Sequence, residues 1–351
     1  MLSFRLLAAT AIGIGAFAQA AAAQDMATAT YGGTTVYVGG GFQFLTLPDI
    51  RFTGNGSPGN FRRQKNSEFS DYGWATGAGI ETPLGFWGSR RVTGGIKGFF
   101  ANVEDDDRVG CHASTCTVVD PTGAQTGFGP PVLVTKTDRD VDYWGGSLEA
   151  KFWSPNTVQV RPNLYRNDYF IVGADIRGID QDNTLRGHFG GDPIFKYKES
   201  LDTTYYGGYI GMGGEYSLGF LGTGGLMDRF GLRTFINARA GLYSANTDYD
   251  GKFAFEFFPF DSKLSKSSDD LAFIGTVSLE TRKQLGPRTS ISLWTDYEYI
   301  SSVPKMRYAD GDGRPTRIDD EGAFASRTML RLNISFGGEP GPAPVYNEPL
   351  K

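Results

Sequence analysis

Histidine and cysteine are almost absent from this chain, which has two of each in 351 residues. So few nitrogen and sulfur ligands argue against a zinc site, and we expect no bound metal. The 34 Lys and Arg residues form no basic stripe, which argues against nucleic-acid binding. After residue 24 no run of eighteen apolar residues occurs, so no transmembrane helix is predicted.

Glycine and aromatic residues, in contrast, are abundant. The chain has 49 glycines, about twice the ordinary usage, and 14% of its residues are aromatic. The net charge of −5 is too small, and the aromatic content too high, for a disordered chain. Together with a mean hydropathy of −0.29, this composition suits a protein whose two surfaces face different solvents.

The N-terminus has the layout of a secretory signal peptide. Arg5 is followed by an apolar stretch over 6–17, and the alanines at 20–23 supply small residues for cleavage. The stretch is shorter than the ~20 residues that a membrane anchor needs. We therefore predict a cleaved signal peptide over 1–23 and an exported mature chain.

The two cysteines lie close together in the sequence. Cys111 and Cys116 are five residues apart, and only His112 lies near them as another metal-binding side chain. In an exported protein this spacing predicts one short-loop disulfide, accessible from outside the cell.

Strict alternation of apolar and polar residues recurs along the mature chain. This period of two is typical of a strand with two different faces. Each segment is about as long as the ~9–11 residues of a tilted membrane-spanning strand. Ten such segments are predicted, at about 34–44, 69–81, 91–103, 139–152, 168–179, 202–217, 231–244, 270–283, 290–300 and 323–336.

The connections between these segments alternate in length. Short links are predicted at 82–90, 218–230 and 284–289, with one of middling length at 153–167. Short turns on one side and long loops on the other are typical of a transmembrane antiparallel up-and-down β-barrel. Strands at 157–160 and 253–260 would make twelve instead of ten. The long connections are predicted at 45–68, 104–138, 180–201, 245–269 and 301–322.

With these features the chain resembles the Gram-negative outer-membrane β-barrel proteins, a broad porin-like group. The resemblance covers 34–336 and includes Phe336, the aromatic end of the last segment. It implies location in the cell outer membrane, contact with its lipids and lipopolysaccharide, and recognition of Phe336 by the barrel-assembly machinery. The group's aromatic residue is usually terminal, whereas a Pro-rich tail follows here. A periplasmic segment over 24–33 and a periplasmic tail over 337–351 complete the predicted organisation.

Charged residues fall on the polar side of the alternating segments. An ionised side chain facing lipid near the midplane costs about 2–4 kcal/mol for Arg or Lys, so this side is predicted to face the lumen. The cations are Arg91, Lys97, Lys151, Arg177, Arg233, Arg239, Arg282, Arg327 and Arg331, and the anions are Glu81, Glu149, Asp175, Glu215, Glu280, Asp296 and Glu298.

Two functions remain open from the sequence. A narrow, porin-like pore for ions or small solutes is one, and a closed barrel serving as an envelope-structural or surface-adhesive scaffold is the other. A ten-stranded barrel is near the size that side chains fill, which favours pairing of these charges across the lumen. We expect no enzymatic activity and no cofactor. His188, near Asp182 and Asp192, is interpreted as a solvated loop histidine rather than a catalytic base.

The aromatic segment 253–260 allows two interpretations. In the first, a strand continues above the membrane and its phenylalanines pack on neighbouring segments. In the second, they form a contact patch for a partner or an outer-leaflet lipid.

Overall fold

The structure is a computed structural model. It describes nine segments of the chain, namely residues 33–63, 69–111, 114–130, 133–155, 158–161, 164–216, 232–257, 261–308 and 316–337. The predicted signal peptide, nearly all of the segment 24–33 and the tail from 338 lie outside these residues. Among the described residues, no helix is long and apolar enough to cross a membrane.

Fifteen antiparallel strands make up the described fold. Ten of them form a ring in the order β11-β12-β13-β14-β15-β1-β4-β5-β8-β10, and β10 pairs back with β11 to close it. The strands are β1 (Thr34–Thr46), β2 (Thr53–Ser57), β3 (Asn60–Arg63), β4 (Ser70–Trp87), β5 (Arg90–Cys111), β6 (Cys116–Val119), β7 (Gln125–Phe128), β8 (Leu133–Trp153), β9 (Val158–Arg161), β10 (Leu164–Phe189), β11 (Asp192–Tyr216), β12 (Leu232–Phe255), β13 (Asp261–Gln284), β14 (Thr289–Arg307) and β15 (Arg317–Phe336).

The prediction of an up-and-down barrel with ten strands is confirmed. Every alternating segment falls on one strand of the ring, apart from residue 69, which precedes β4, and residues 217 and 231, which lie outside the described residues. The first and last strands pair along their length. Among the described residues, the two segments that would have made twelve add no separate strand to the ring. Val158–Arg161 forms β9, which pairs with β10 alone, and Phe253–Phe255 belongs to the end of β12.

Three of the predicted long connections, 180–201, 245–269 and 301–322, are wrong, because nearly all of their described residues belong to strands of the ring. The segment 180–201 continues β10 and β11 to a tight hairpin at Gly190 and Gly191. Both glycines have positive φ, 63° and 102°, a conformation that favours glycine. The segment 245–269 likewise extends β12 and β13, and the described part of 301–322 extends β14 and β15. These six strands thus reach well beyond the length that a membrane requires.

Apolar side chains cover the outside of the barrel in a band. Val38, Ile210 and Leu330 lie at its centre, each at least 56% exposed. Aromatic residues border the band on both sides, which is the arrangement of membrane-spanning barrels. We call this region the belt. Its border near the chain termini contains Phe86, Trp87, Phe170 and Phe336, and its opposite border contains Phe42, Tyr72, Trp74, Tyr206, Tyr297, Tyr299 and Phe324.

Beyond the second border the exterior of the barrel becomes polar. Asp182, Lys198, Asp248 and Lys252 all point outward there and are exposed. We call this part, formed by strand segments such as 180–201 and 245–269, the extension. A small sheet in the order β3-β2-β6-β7 joins it from the segments that follow β1 and β5. The extension therefore has an exterior suited to water.

Candidate functional site in the barrel lumen

The lumen of the belt is bridged by a buried ion cluster. Arg177 on β10 donates to Asp175 at 2.7 Å and, across the barrel, forms an ion pair with Glu298 on β14. Tyr143 on β8 also donates to Glu298, and Thr276 on β13 donates to it at 3.1 Å. Arg177 is 2% exposed. Side chains from four strands thus meet in the middle of the lumen.

A second buried pair lies beside this cluster. Arg327 on β15 donates to Asp296 on β14 at 3.0 Å, and Ser278 on β13 donates to the same carboxylate at 2.5 Å. The guanidinium of Arg327 also covers the ring of Phe99 at 3.5 Å from its centroid. The contact reaches from β15 to β5, so it narrows the lumen from another direction.

At the end of the barrel near the chain termini, charged side chains of the lumen form ion pairs between neighbouring strands. Lys97 donates to Glu149 at 2.7 Å, and Tyr209 donates to the same carboxylate at 3.0 Å. Lys151 donates to Glu81 at 2.6 Å and lies 3.5 Å from Glu149. Opposite charges therefore compensate one another here across β4, β5 and β8.

The rim at the same end carries two more pairs. Arg233 donates to Glu215 at 2.6 Å, and Arg282 donates to Glu280 at 2.8 Å. The side chain of Arg233 is 52% exposed, so this pair faces solvent. Exposed ion pairs contribute only about 0–1 kcal/mol, whereas the Arg282–Glu280 pair is more buried, with side chains 27% and 14% exposed.

Two arginines in the belt lumen have aromatic neighbours instead of carboxylates. Arg331 lies over the rings of Trp294 and Tyr37, at 3.3 and 4.4 Å from their centroids. Arg239 lies over the ring of Tyr209 at 5.0 Å. Among the described residues neither arginine forms an ion pair. The lumen therefore has a local surplus of positive charge.

In the extension, an aromatic plug fills the lumen. Phe52, from the segment between β1 and β2, is fully buried and stacks on Tyr197 at 4.5 Å between ring centroids. It also contacts Phe195, Phe253 and Tyr308 at 5.5–5.9 Å. We call Phe52 and these four rings the plug. A segment outside the ring thus enters the mouth of the barrel and packs there.

A carboxylate lies beside the plug and is satisfied by hydrogen bonds. Glu199 accepts from Tyr197 and Tyr308 at 2.6 Å each and from Asn183 at 3.1 Å. Burial and the neighbouring Glu199 charge raise the pKa of both tyrosines well above the usual value. Their hydroxyls therefore keep their protons and remain hydrogen-bond donors.

Arg139 on β8 holds the entering segment in place. It donates to the Pro48 carbonyl and to the Gln181 side chain, each at 3.2 Å. Its guanidinium also covers the Phe69 ring at 4.7 Å, where the segment returns to β4. The segment that carries Phe52 is thus attached to the barrel wall near both of its ends.

The plug residues are missing from the site predicted above. Phe195 and Tyr197 fall in 180–201 and Phe52 in 45–68, two segments that the sequence predicts as connections. The signal for Phe195 and Tyr197 was present, because apolar and polar residues alternate in Phe195–Lys196–Tyr197–Lys198. Phe52 is isolated in the sequence, and only its partners reveal its role.

Cys111 and Cys116 form a disulfide, as predicted, between the end of β5 and the start of β6. They are 1% and 2% exposed, respectively, and pack with Phe52 and Val118. The expectation of an accessible disulfide is therefore wrong, since the small sheet and the plug cover it.

The described histidine, His188, lies next to the last residue of strand β10, opposite Pro193, so its interpretation as a loop histidine is wrong. Asp182 is six residues away along the same strand, which corresponds to about 20 Å. These two side chains are too far apart to act together. Among the described residues there is no group of three or more His, Cys, Asp or Glu side chains that could hold a metal ion.

No protein-family model matches the sequence, and no curated protein matches it. Among solved structures, the outer membrane protease OmpT from Escherichia coli is similar, with 10% identity, 87% of this chain and 97% of that chain covered, and a TM-score of 0.51. The translocator domain of autotransporter NalP from Neisseria meningitidis is 13% identical over 94% of this chain and 97% of that chain, with a TM-score of 0.32. At such identities the likeness concerns the fold alone, and this chain has the ten-stranded fold of an outer-membrane β-barrel protein.

Proposed function

We propose that the chain is an integral protein of the Gram-negative outer membrane, exported by its cleaved signal peptide. The apolar belt with its two aromatic borders supports this location, because such a surface is stable only against lipid. In this orientation both termini lie in the periplasm. The extension lies outside the cell, and the belt contacts the membrane lipids and lipopolysaccharide.

We further propose that the protein is a closed barrel that serves as an envelope-structural or surface-adhesive scaffold. The observation that carries this proposal is the filling of the lumen at two heights. Arg177 and Glu298 meet across the belt, and Phe52 packs inside the extension. A solute would have to displace both the Arg177–Glu298 contact and Phe52 to pass. We therefore assign the function of the protein to the outward surface of the extension.

A narrow pore for ions or small solutes is the second candidate. The observation in its favour is the pair of arginines without carboxylate partners, Arg239 and Arg331, which line an interior cavity. Positive charge in a lumen favours the passage of anions. For this function the Arg177–Glu298 contact would have to open.

Further proposals concern assembly and chemistry. Phe336 is the last residue of β15, points outward and is 54% exposed. This position supports its recognition by the barrel-assembly machinery. We also propose that the protein is not an enzyme and needs no cofactor.

Single-channel recording in planar bilayers distinguishes the scaffold from the pore. We expect no conductance steps from the wild-type protein over many insertions. The matched control replaces Arg177, Asp175, Glu298, Asp296 and Arg327 together by serine and replaces residues 48–68 by a short Gly-Ser linker. Removing all partners of these pairs leaves no newly unpaired buried charge, so this variant is expected to conduct.

Stable wild-type steps would contradict the closed barrel. If their ion selectivity also changed when Arg239 and Arg331 were replaced by glutamate, the pore would replace the scaffold as the proposed function.

A cellular experiment tests the scaffold directly. Deletion of the gene is expected to cause an envelope or attachment defect that the wild-type protein restores. In a trimmed variant, residues 182–200 are replaced by a two-residue hairpin that rejoins β10 and β11. It should reach the outer membrane but fail to restore the phenotype. Full restoration by the trimmed variant would show that the extension is not required.

A further inference from the structure

The lumen charges of the belt do not balance. Each of the seven predicted lumen anions has a cationic partner within the barrel. Among the described residues, three of the nine cations have no carboxylate partner, namely Arg91, Arg239 and Arg331. The last two are 8% and 6% exposed, respectively. These two buried positive charges therefore form no ion pair within the described residues. The carboxylates whose charge reaches them, Glu149, Glu280 and Asp296, are already paired with Lys97, Arg282 and Arg327.

Arg239 and Arg331 line the same cavity, together with Arg327. Several of their buried N–H groups have no hydrogen-bond partner. These are Nε and Nη1 of Arg239, Nε and Nη1 of Arg327, and Nε of Arg331. The aromatic contacts of Arg239 and Arg331 hold their guanidinium planes in place. Two carboxylates, Asp175 and Asp296, also line the cavity, but each is ion-paired, with Arg177 and Arg327 respectively. The cavity is thus bordered by a surplus of fixed hydrogen-bond donors from β12 and β15.

The size and chemistry of the cavity restrict its occupant. The volume open to the centre of a water molecule is about 20 Å³, which is room for one or two water-sized bodies. A buried guanidinium without a counter-charge is strongly destabilising. An occupant that accepts several N–H bonds, donates none and carries negative charge satisfies these donors. A halide ion has these properties and the required size.

We propose that the cavity between Arg239, Arg327 and Arg331 is a buried binding site for a halide-sized anion, with chloride as the physiological ligand. The ion neutralises surplus positive charge in the belt and joins β12 to β15 through hydrogen bonds. The site does not depend on whether the barrel conducts, because the ion is held as part of the folded interior.

The first test measures stability in different salts. The protein is refolded in detergent with sodium chloride, bromide or gluconate at equal ionic strength, and its thermal unfolding midpoint is determined. We expect higher midpoints in chloride and bromide than in gluconate, which is too large for the cavity. Arg239→Gln and Arg331→Gln should each abolish this difference.

Arg91→Gln is the matched control for these variants. Arg91 also points inward, has no carboxylate partner among the described residues, and lies over the ring of Trp153 at 4.7 Å. It does not line the cavity. The chloride effect should therefore persist in this variant.

The second test uses wild-type protein and does not require the variants to fold. Crystals grown in bromide should show an anomalous peak among the three guanidinium groups. Bromide peaks on the protein surface only would overturn the proposal. Equal unfolding midpoints in chloride and gluconate, or equal loss of the chloride effect in Arg91→Gln, would also overturn it.

Discussion

The belt and the extension are two halves of one barrel with opposite chemistry. Along β12, the belt points Leu242 outward and Arg239 inward, whereas the extension points Asp248 outward and Phe253 inward. The direction of each side chain alternates without interruption along the strand. Only the polarity of the two faces is exchanged, at the height where the outer aromatic border ends.

This difference shows how the solvent outside decides what the interior must contain. In the belt, lipid covers the apolar face, so apolar burial inside the lumen contributes less, and ion pairs and hydrogen bonds fill it. In the extension, water surrounds the barrel, and the hydrophobic effect drives aromatic rings into the lumen. The extension is therefore built like a water-soluble β-protein, on strands that continue from the membrane.

The largest effect is expected from a substitution that destabilises the extension and leaves the belt folded. Phe52→Ala removes the fully buried centre of the plug and should cost about 3–5 kcal/mol of stability. Hydrogen exchange should show loss of protection in 180–201 and 245–269, with the belt strands unchanged. Phe257→Ala, at a side chain that is 65% exposed, is the control and should change little. Equal loss of protection in the belt would contradict the division into two halves.

The second prediction concerns the ion pair between Arg177 and Glu298 inside the belt. Glu298→Gln removes the carboxylate that Arg177 contacts across the lumen, and the free energy of unfolding should fall by about 3 kcal/mol. Urea titration of the protein folded into lipid vesicles measures this change. Glu321→Gln is the control, because its ion pair with Lys305 is solvent-exposed and contributes less than about 1 kcal/mol. A comparable loss in both variants would argue that the lumen pair is not specially stabilising.

The third prediction compares the two exteriors directly. Leu330→Arg places a charge on the lipid face of the belt and should cost about 2–3 kcal/mol. Asp248→Arg places the same side chain on the outward face of the extension, where a change within about 0.5 kcal/mol is expected. The same vesicle titration measures both. If Leu330→Arg were tolerated equally well, the apolar band would not be facing lipid.

The smallest effect concerns the disulfide. Replacing Cys111 and Cys116 together by serine opens a short loop, for which we expect a loss of about 2 kcal/mol. The change should appear in the extension, where the pair is buried beside the plug, and can be followed by hydrogen exchange. In the wild-type protein, thiol labelling after denaturation without reductant should detect no free cysteine. Complete labelling there would show that the bond does not form.

Much of the fold follows from the sequence, because successive residues of a barrel strand face lipid and lumen in turn and therefore alternate between apolar and polar. The parity of Leu330, Arg331 and Leu332 is enough to predict a strand with one apolar and one polar face. The extension was harder to predict, since its polarity is reversed and its outward charges resemble those of a loop. For this reason the sequence pattern predicts a connection over 180–201, although the alternation continues through it.

By itself, the sequence determined the ten strands, their antiparallel order and the apolar face that forms the belt, because these depend on neighbours in the chain. Only the tertiary structure decided which charges meet, since Arg177 and Glu298 lie on strands that face each other across the lumen. It also decided that Arg239 and Arg331 have no carboxylate partner among the described residues, and that Phe52 enters the barrel. These contacts join residues far apart in the chain, and their formation depends on ring closure and on the height of each side chain in the barrel.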